Sequence, residues 1–280
     1  MTLTSLLQSE TTISLQDIKL FGVFIPVFCL YRVLISKFLL KPLSKTVPES
    51  CRFKYIHRGF DFIHYLTASI IGTIAFMGRP YAKCPFYFVG CDKYIYCTGE
   101  SFVCSILEKI YFIYFACYYF SDVFWIHTTK DVAMLVVHHI ITVSMILITA
   151  ISSRPVVGLS TMLLHDWVDV FLYFGKLASY YGWKKLADTS LLTMAALFYY
   201  LRIFGVFCIL KSVWTDKEVQ PHHYQLWLVG RCLLIGLYIC HLIWGYQIAS
   251  SLIKIALSKG EQDIRDTRSD EGDSPKQKKE

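Results

Sequence analysis

The sequence predicts an all-α integral membrane protein with about seven membrane-spanning helices. Of its 280 residues, 55% are hydrophobic and 16% aromatic, and the mean hydropathy is +0.45. A soluble domain usually has about 45–50% apolar residues, so the excess indicates that lipid is the solvent. The net charge of +7 does not indicate nucleic-acid binding. The basic residues lie mostly between apolar runs, as they do in proteins whose partner is a lipid bilayer.

Seven apolar stretches define the predicted helices, because a spanning helix needs about 20 mostly apolar residues. They are residues 18–40, 60–78, 102–124, 132–151, 155–175, 189–210 and 226–252. The fifth stretch is the least apolar, since it contains His165, Asp166 and Asp169. Polar groups converge on the fourth and fifth stretches. We therefore expect spans two to seven to surround a central cavity, with the first span at the periphery.

The chain divides into three predicted parts. Residues 1–45 form a lumenal N-terminus and the first span, residues 46–257 a domain of six spans, and residues 258–280 a polar tail. The tail is rich in charge and poor in apolar residues, so we expect it to be disordered. The loops after the first, third and fifth spans carry ten Lys and Arg, against six in the opposite loops. The positive-inside rule then places the tail in the cytosol.

The ten cysteines form no CxxC pair, so a structural zinc site is not predicted. Cys84, Cys91 and Cys97 cluster in the loop between the second and third spans. We interpret them as loop cysteines with one disulfide, in preference to a metal site. No metal ligand is assigned to any residue of the chain.

Ionisable side chains within the spans form the candidate site, because such groups are costly in lipid unless they face a protein interior. His138 and His139 lie in the fourth span, and His165, Asp166 and Asp169 lie in the fifth. On a helix, residues three and four apart share a face, so the three residues of the fifth span face one way.

The depths of these residues match. His138 lies six residues, or about 9 Å, inside the cytosolic end of the fourth span. Asp169 lies at a similar depth in the fifth, which runs the other way after a short loop. Two histidines and two carboxylates are therefore predicted to meet in the cytosolic half. The alternative is that these groups only fix helix packing, as polar residues in membrane bundles do.

The segment from Tyr118 to Leu210 resembles the TLC domain and, within it, the Lag1 motif of the ceramide synthases. The likeness rests on the following residues: His138-His139, Met162-Leu163-Leu164-His165-Asp166-Trp167-Val168-Asp169, Leu172, Lys176, Tyr180, and upstream Cys51-Arg52-Phe53-Lys54-Tyr55. The chain departs from the family pattern at 152–158 and lacks the homeobox-like insert of many animal members. These departures concern acyl-chain preference and the acyl acceptor rather than the reacting groups.

The resemblance implies an N-acyltransferase that joins the acyl group of a fatty acyl-CoA to the amine of a sphingoid base. It implies no cofactor beyond acyl-CoA as co-substrate. His138 and His139 would supply the base or nucleophile, since imidazole titrates near neutral pH. Asp166 and Asp169 would orient these imidazoles and stabilise the cation that forms.

Three further residues have supporting roles in this interpretation. His165 belongs to the same motif, and Lys176 at the cytosolic rim is expected to hold CoA phosphates with Lys130, Lys184 and Lys185, or to serve only the positive-inside rule. Arg202, deep in the sixth span, is expected to pair with a carboxylate or to line the channel. The sequence leaves both alternatives open.

Two other functions remain open at this point. One is a metal-dependent membrane enzyme with histidine and aspartate ligands, although adjacent histidines do not easily bind one ion. The other is a non-catalytic TLC-domain lipid sensor or chaperone. Lys276 and Lys278 resemble the dilysine retrieval signal of endoplasmic-reticulum membrane proteins. The chain is therefore expected in that membrane, and a homodimer or heterodimer is left open.

Overall fold

A computed structural model describes residues 6–84, 103–125, 132–152, 155–215 and 224–257. Seven long helices run through these residues. They are α1 (Leu15–Thr46), α2 (Arg52–Met77), α3 (Ile106–Asp122), α4 (Val132–Ser152), α5 (Pro155–Tyr180), α6 (Lys184–Thr215) and α7 (Tyr224–Leu257). Two short strands, β1 (Glu10–Thr11) and β2 (Cys104–Ser105), pair in antiparallel fashion ahead of α3.

The prediction of an all-α membrane protein is confirmed, and the count of seven spans is approximate. Six of the helices are long and apolar enough to cross a bilayer. The remaining helix, α3, has 17 residues, which is slightly short of the roughly 20 that a full span needs. The predicted tail 258–280 lies outside the described residues, so its disorder and the orientation of the chain stay predictions.

The helices differ in how much of their surface is buried, and α5 is the most buried of the six spanning helices. In its apolar stretch 72% of residues are buried, against 17% in that of α1. The centre of the bundle is therefore α5, which packs on α2 and α6, while α1 lies at the periphery against α3. Gly175 permits the close approach of α5 and α6, because a Cβ there would lie 3.0 Å from Leu191 Cγ.

The turn from α5 to α6 depends on Gly182, whose φ of 75° is strained for other residues. Helix α6 then contains a π-helical segment, Phe198–Gly205, between two α-helical parts. A π-helical insertion shifts the facing of the residues it contains and is frequent at functional sites. Arg202 lies within this segment and is turned into the bundle.

A buried cluster fixes α3 to the end of α2. Ser105 caps α3, with its hydroxyl accepting from the Glu108 backbone N–H at 3.1 Å. The hydroxyl of Tyr81 donates to Glu108, and Arg79 Nε lies 3.4 Å from the same carboxylate. Burial and the nearby Glu108 carboxylate raise the pKa of Tyr81, so its hydroxyl remains a donor. Cys84, next to this cluster, is disulfide-bonded, which agrees with the predicted loop disulfide, whereas Cys91 and Cys97 lie outside the described residues.

Candidate active site

The candidate site contains two adjacent histidines, which lie about two turns into α4. His138 and His139 are both buried. The Nδ1–H of His139 donates to the Leu135 carbonyl oxygen at 3.0 Å. Because a carbonyl oxygen only accepts, the hydrogen of the neutral ring lies on Nδ1, and Nε2 is its basic nitrogen. That Nε2 lies 3.2 Å from Asp122 Oδ2, within ion-pair distance although not aligned as a hydrogen bond.

His138 has a different environment from His139. Its Nε2 lies 3.5 Å from the Thr142 hydroxyl, and no described residue hydrogen-bonds its buried Nδ1. The ring packs against Trp244 of α7, with centroids 5.0 Å apart, and lies 6.5 Å from the ring of His165. Tyr119 of α3 contacts the rings of both α4 histidines. His138 of α4 and His165 of α5 therefore lie close to each other inside the bundle.

A chain of buried charges continues from His139 towards α1 and α2. Asp122, the last residue of α3, accepts a hydrogen bond on Oδ1 from Arg32 Nη1 at 2.8 Å. Arg32 Nη2 lies 3.7 Å from Asp61 Oδ1, and Arg58 Nη1 lies 3.2 Å from Asp61 Oδ2. Two guanidinium groups and two carboxylates therefore alternate along the chain, which ends at the imidazole of His139.

The histidine–aspartate motif of α5 makes other contacts. Asp166 is fully buried and accepts from the Tyr111 hydroxyl at 2.5 Å. Asp169 Oδ2 lies 2.7 Å from Arg202 Nη2, and the same guanidinium donates to the His165 carbonyl oxygen at 2.8 Å. The alternative that Arg202 pairs with a carboxylate is thus the one found.

This arrangement corrects the expected contacts of Asp166 and Asp169. Neither carboxylate forms a hydrogen bond or ion pair with His138 or His139 among the described residues. The reason is that α3 and α6 pack beside α5. Tyr111 of α3 binds Asp166, and Arg202 of α6 binds Asp169. The carboxylate beside His139 is Asp122 instead, although the catalytic roles assigned from the sequence stay predictions.

His165 forms a second imidazole pair. Its Nδ1–H donates to the Thr161 carbonyl oxygen at 2.6 Å, so its Nε2 accepts. The donor is Nε2–H of His241 on α7, at 2.8 Å. This pair connects the centre of α5 to α7.

The basic residues predicted at the cytosolic rim divide into two groups. Lys176 is buried, with its ammonium 5.6 Å from the centre of the Tyr173 ring. It lies within α5, which continues to Tyr180, beyond the predicted end at residue 175. Lys184 and Lys185 are exposed at the start of α6. Lys130 lies outside the described residues.

Two narrow cavities of about 30 and 50 Å³ lie between α4, α5 and α7. The first reaches Tyr119 and His165, and the second ends at Arg231 on α7. Both linings include Met145, Thr149 and Gly158, so these residues form the wall that the two cavities share. The linings are mainly apolar.

The described ranges contain no group of three or more His, Cys, Asp or Glu side chains arranged to hold a metal ion. The imidazoles instead form two separate pairs, each engaged with a backbone carbonyl oxygen. The arrangement therefore suits proton transfer and nucleophilic attack by imidazole.

Four ionisable residues of the site are not among the site residues predicted from the sequence: Arg32, Asp61, Asp122 and His241. Three of them are buried, whereas the Asp122 side chain is 14% exposed. All four lie inside predicted spans, so the rule that ionisable residues at membrane depth are functional candidates also applies to them.

A family model described as the TLC domain matches residues 54–250 of the chain. Ceramide synthase LOH1 of Arabidopsis thaliana is 28% identical over 247 residues, which cover 83% of this chain and 78% of that protein. Ceramide synthase 1 LOH3 of the same plant is 24% identical over 292 residues and 92% of each chain. Ceramide synthase 5 of Homo sapiens is 33% identical over 165 residues, 57% of this chain and 41% of the human protein.

Proposed function

Because this chain belongs to the TLC domain family, we propose that it is an acyl-CoA-dependent N-acyltransferase of sphingoid bases, a ceramide synthase. The observation that carries the proposal is the His139 imidazole, buried in a membrane helix with Asp122 at 3.2 Å from its basic nitrogen. The similarity to proteins named ceramide synthase supports the same reaction class.

The reaction replaces a thioester bond with an amide bond. The amine nitrogen forms a C–N bond to the acyl carbon, and the C–S bond to CoA breaks. A long-chain amine is largely protonated at neutral pH, as a lysine amine is, and its ammonium loses two protons in all. One passes through the base to the medium, and the other ends on the CoA thiolate, which leaves as the thiol.

His139 is the base in this proposal. Its Nδ1–H bond to the Leu135 carbonyl oxygen holds the tautomer in which Nε2 accepts a proton. Asp122, beside Nε2, then stabilises the imidazolium that forms. This step does not use Asp166 or Asp169, because neither carboxylate forms an ion pair with His139 among the described residues.

His138 is the imidazole available for attack on the thioester. Its buried Nδ1 has no hydrogen-bond partner among the described residues. In the tautomer whose Nε2–H donates to the Thr142 hydroxyl oxygen at 3.5 Å, Nδ1 carries the lone pair for attack. Attack would give an acyl-imidazole that the amine resolves. Trapping of acylated protein in the absence of amine distinguishes this route from direct attack by the amine.

The α5 residues support the site from the other side. Asp166 and Tyr111 fix α5 to α3, while Asp169 and Arg202 fix it to α6. The cavities beyond His165 offer an apolar route for one hydrocarbon chain. Placement in the endoplasmic-reticulum membrane, with acyl-CoA arriving from the cytosol, is part of the proposal.

The test is an assay of membranes that contain the full chain. They are incubated with a sphingoid base and a panel of acyl-CoAs, and products are identified by mass spectrometry. We expect an N-acyl amide whose formation requires both substrates and is absent from membranes lacking the protein. A folded protein that forms no amide with any acyl-CoA would instead support the non-catalytic TLC-domain function.

A further inference from the structure

Helix α1 contributes a buried charge to the site although it lies at the edge of the bundle. Only 17% of its apolar stretch is buried, and the TLC domain match begins after it, at residue 54. Arg32 is nevertheless only 3% exposed. A guanidinium on a peripheral membrane helix is costly unless it meets partners in the protein interior.

The partners of Arg32 connect it to the proposed base. Its Nη1 donates to Asp122 Oδ1 at 2.8 Å, and the other oxygen of that carboxylate, Oδ2, lies 3.2 Å from His139 Nε2. The two oxygens of Asp122 therefore serve two different groups. With Oδ1 held by the guanidinium, rotation of the carboxylate away from the imidazole would break a short charged hydrogen bond.

The remaining contacts hold Arg32 itself in place. Its guanidinium lies over the ring of Trp125 at 4.3 Å and over that of Phe60 at 4.8 Å. Asp61 lies 3.7 Å away and is itself held by Arg58 and by the Tyr118 hydroxyl. The group is thus confined by aromatic faces and by two carboxylates, which restricts it to one orientation.

Charge compensation gives Arg32 a second effect on the chain. Arg32 and Arg58 alternate with Asp61 and Asp122 inside the bundle. Without Arg32, two carboxylates would share one guanidinium, and Asp122 would lie beside His139 without its own cationic partner.

We propose that Arg32 is a positioning residue that acts through Asp122 on His139, so that the catalytic unit includes α1 as well as the TLC domain. The proposal deepens the N-acyltransferase function and rests on it. If Arg32 only held α1 against the other helices, different results would be expected.

Four purified full-length proteins in lipid nanodiscs separate these roles: wild type, Arg32→Gln, Arg32→Lys and Phe21→Ala. Phe21 is a buried α1 residue that packs on Phe112 and Phe120 of α3. It lies about 16 Å along the helix from Arg32, so its loss weakens the docking of α1 without touching the charged chain. The readouts are kcat, KM for acyl-CoA and the thermal unfolding midpoint.

We expect Arg32→Gln to lower kcat about 10- to 100-fold, by analogy with the loss of groups that orient metal-bound imidazoles. KM for acyl-CoA should stay within about twofold, because Arg32 does not reach the exposed rim lysines. Arg32→Lys should recover part of kcat, since it keeps the charge but not the forked geometry. Phe21→Ala should lower the unfolding midpoint while kcat per folded protein is kept.

Two results overturn this inference alone, and a third overturns the proposed function with it. An active wild type with an equally active, folded Arg32→Gln protein removes the positioning role and leaves the N-acyltransferase function intact. Equal loss of kcat in Phe21→Ala and Arg32→Gln, in proportion to lost folded protein, assigns Arg32 to docking of α1. A folded wild type without any N-acylation overturns the proposed function and this inference together.

Discussion

The described helices bring together two pairs of histidines, His138 with His139 and His165 with His241, in which the second ring nitrogen of one member has a different partner. In both His139 and His165, Nδ1–H donates to a carbonyl oxygen one turn earlier in the helix. The second nitrogen of His139 then lies beside a carboxylate, Asp122. The second nitrogen of His165 accepts instead from another imidazole, that of His241.

The difference separates a group able to exchange protons from one that connects helices. When His139 takes a proton, Asp122 provides an adjacent countercharge. Within the described ranges no carboxylate forms an ion pair with His165, and the Arg202 guanidinium donates to the backbone carbonyl oxygen of His165. The α4 pair therefore suits the chemistry, and the α5–α7 pair suits the packing of the central helix.

The largest expected effect is loss of the α4 imidazoles. His138→Ala and His139→Ala should each lower N-acylation about 10²–10⁴-fold, the usual effect of removing an essential acid–base group. His241→Gln, whose amide can still donate to His165, should keep most of the activity. The assay compares membranes with equal amounts of each protein. If both variants fold and keep nearly full activity, His138 and His139 contribute to helix packing and not to catalysis.

Breaking the Asp169–Arg202 ion pair should mainly lower the stability of the folded protein. Asp169→Asn leaves a buried guanidinium without its charged partner, which costs about 3–5 kcal/mol. The amount of folded protein and the total activity should therefore both fall. The double variant Asp169→Asn/Arg202→Gln should recover much of the unfolding midpoint in thermal denaturation. If it recovers folding with no activity, the Asp169 carboxylate has a direct chemical role.

A smaller effect is expected at the wall that the two cavities share. A Cβ on Gly158 would lie 2.6 Å from Thr149 Oγ1, so in Gly158→Ala the Thr149 side chain must shift, and we expect less room for a hydrocarbon chain. The preference for shorter acyl-CoAs should rise about tenfold, within the range for a methylene-sized change in a pocket. Competition between two acyl-CoAs measures the ratio, and Thr149→Ala in the same chain should reverse it. An unchanged ratio would place the acyl chain elsewhere.

The smallest effect is expected at the exposed rim. Lys184 lies at the start of α6 in solvent, where a charged contact contributes about 0.2–1 kcal/mol. Lys184→Ala should therefore raise KM for acyl-CoA by at most about fivefold, with kcat unchanged. Initial rates over a range of acyl-CoA concentrations measure this, and a loss of kcat would move Lys184 into the catalytic site.

The helices could be predicted from the sequence because an apolar run of spanning length has few alternatives in lipid. Residues 132–151 were expected to span, and α4 is Val132–Ser152. The predicted stretch ends at 175, earlier than α5, because the apolar run stops at Lys176. It is buried beside Tyr173, and the helix continues to Tyr180, shortly before the left-handed Gly182.

The partners of the polar groups were harder to predict. Helical spacing determines which residues share a face, but not which neighbouring helix that face meets. Asp166 and Asp169 were therefore assigned to the histidines of α4, whereas α3 and α6 supply Tyr111 and Arg202. The π-helical segment that turns Arg202 inward has no signal in the apolar pattern. Asp122 and His139 come from separate helices, and only the packing brings them together.

The most direct test of the account compares two isosteric substitutions, Asp122→Asn and Asp166→Asn, in purified folded protein. In Asp166→Asn the amide oxygen can still accept from the Tyr111 hydroxyl, so kcat for N-acylation should stay within about tenfold of wild type. Asp122→Asn removes the charge beside the base, and kcat should fall about 100-fold or more. An inactive Asp166→Asn protein beside a fully active Asp122→Asn protein would contradict the assignment of Asp122 as the partner of His139.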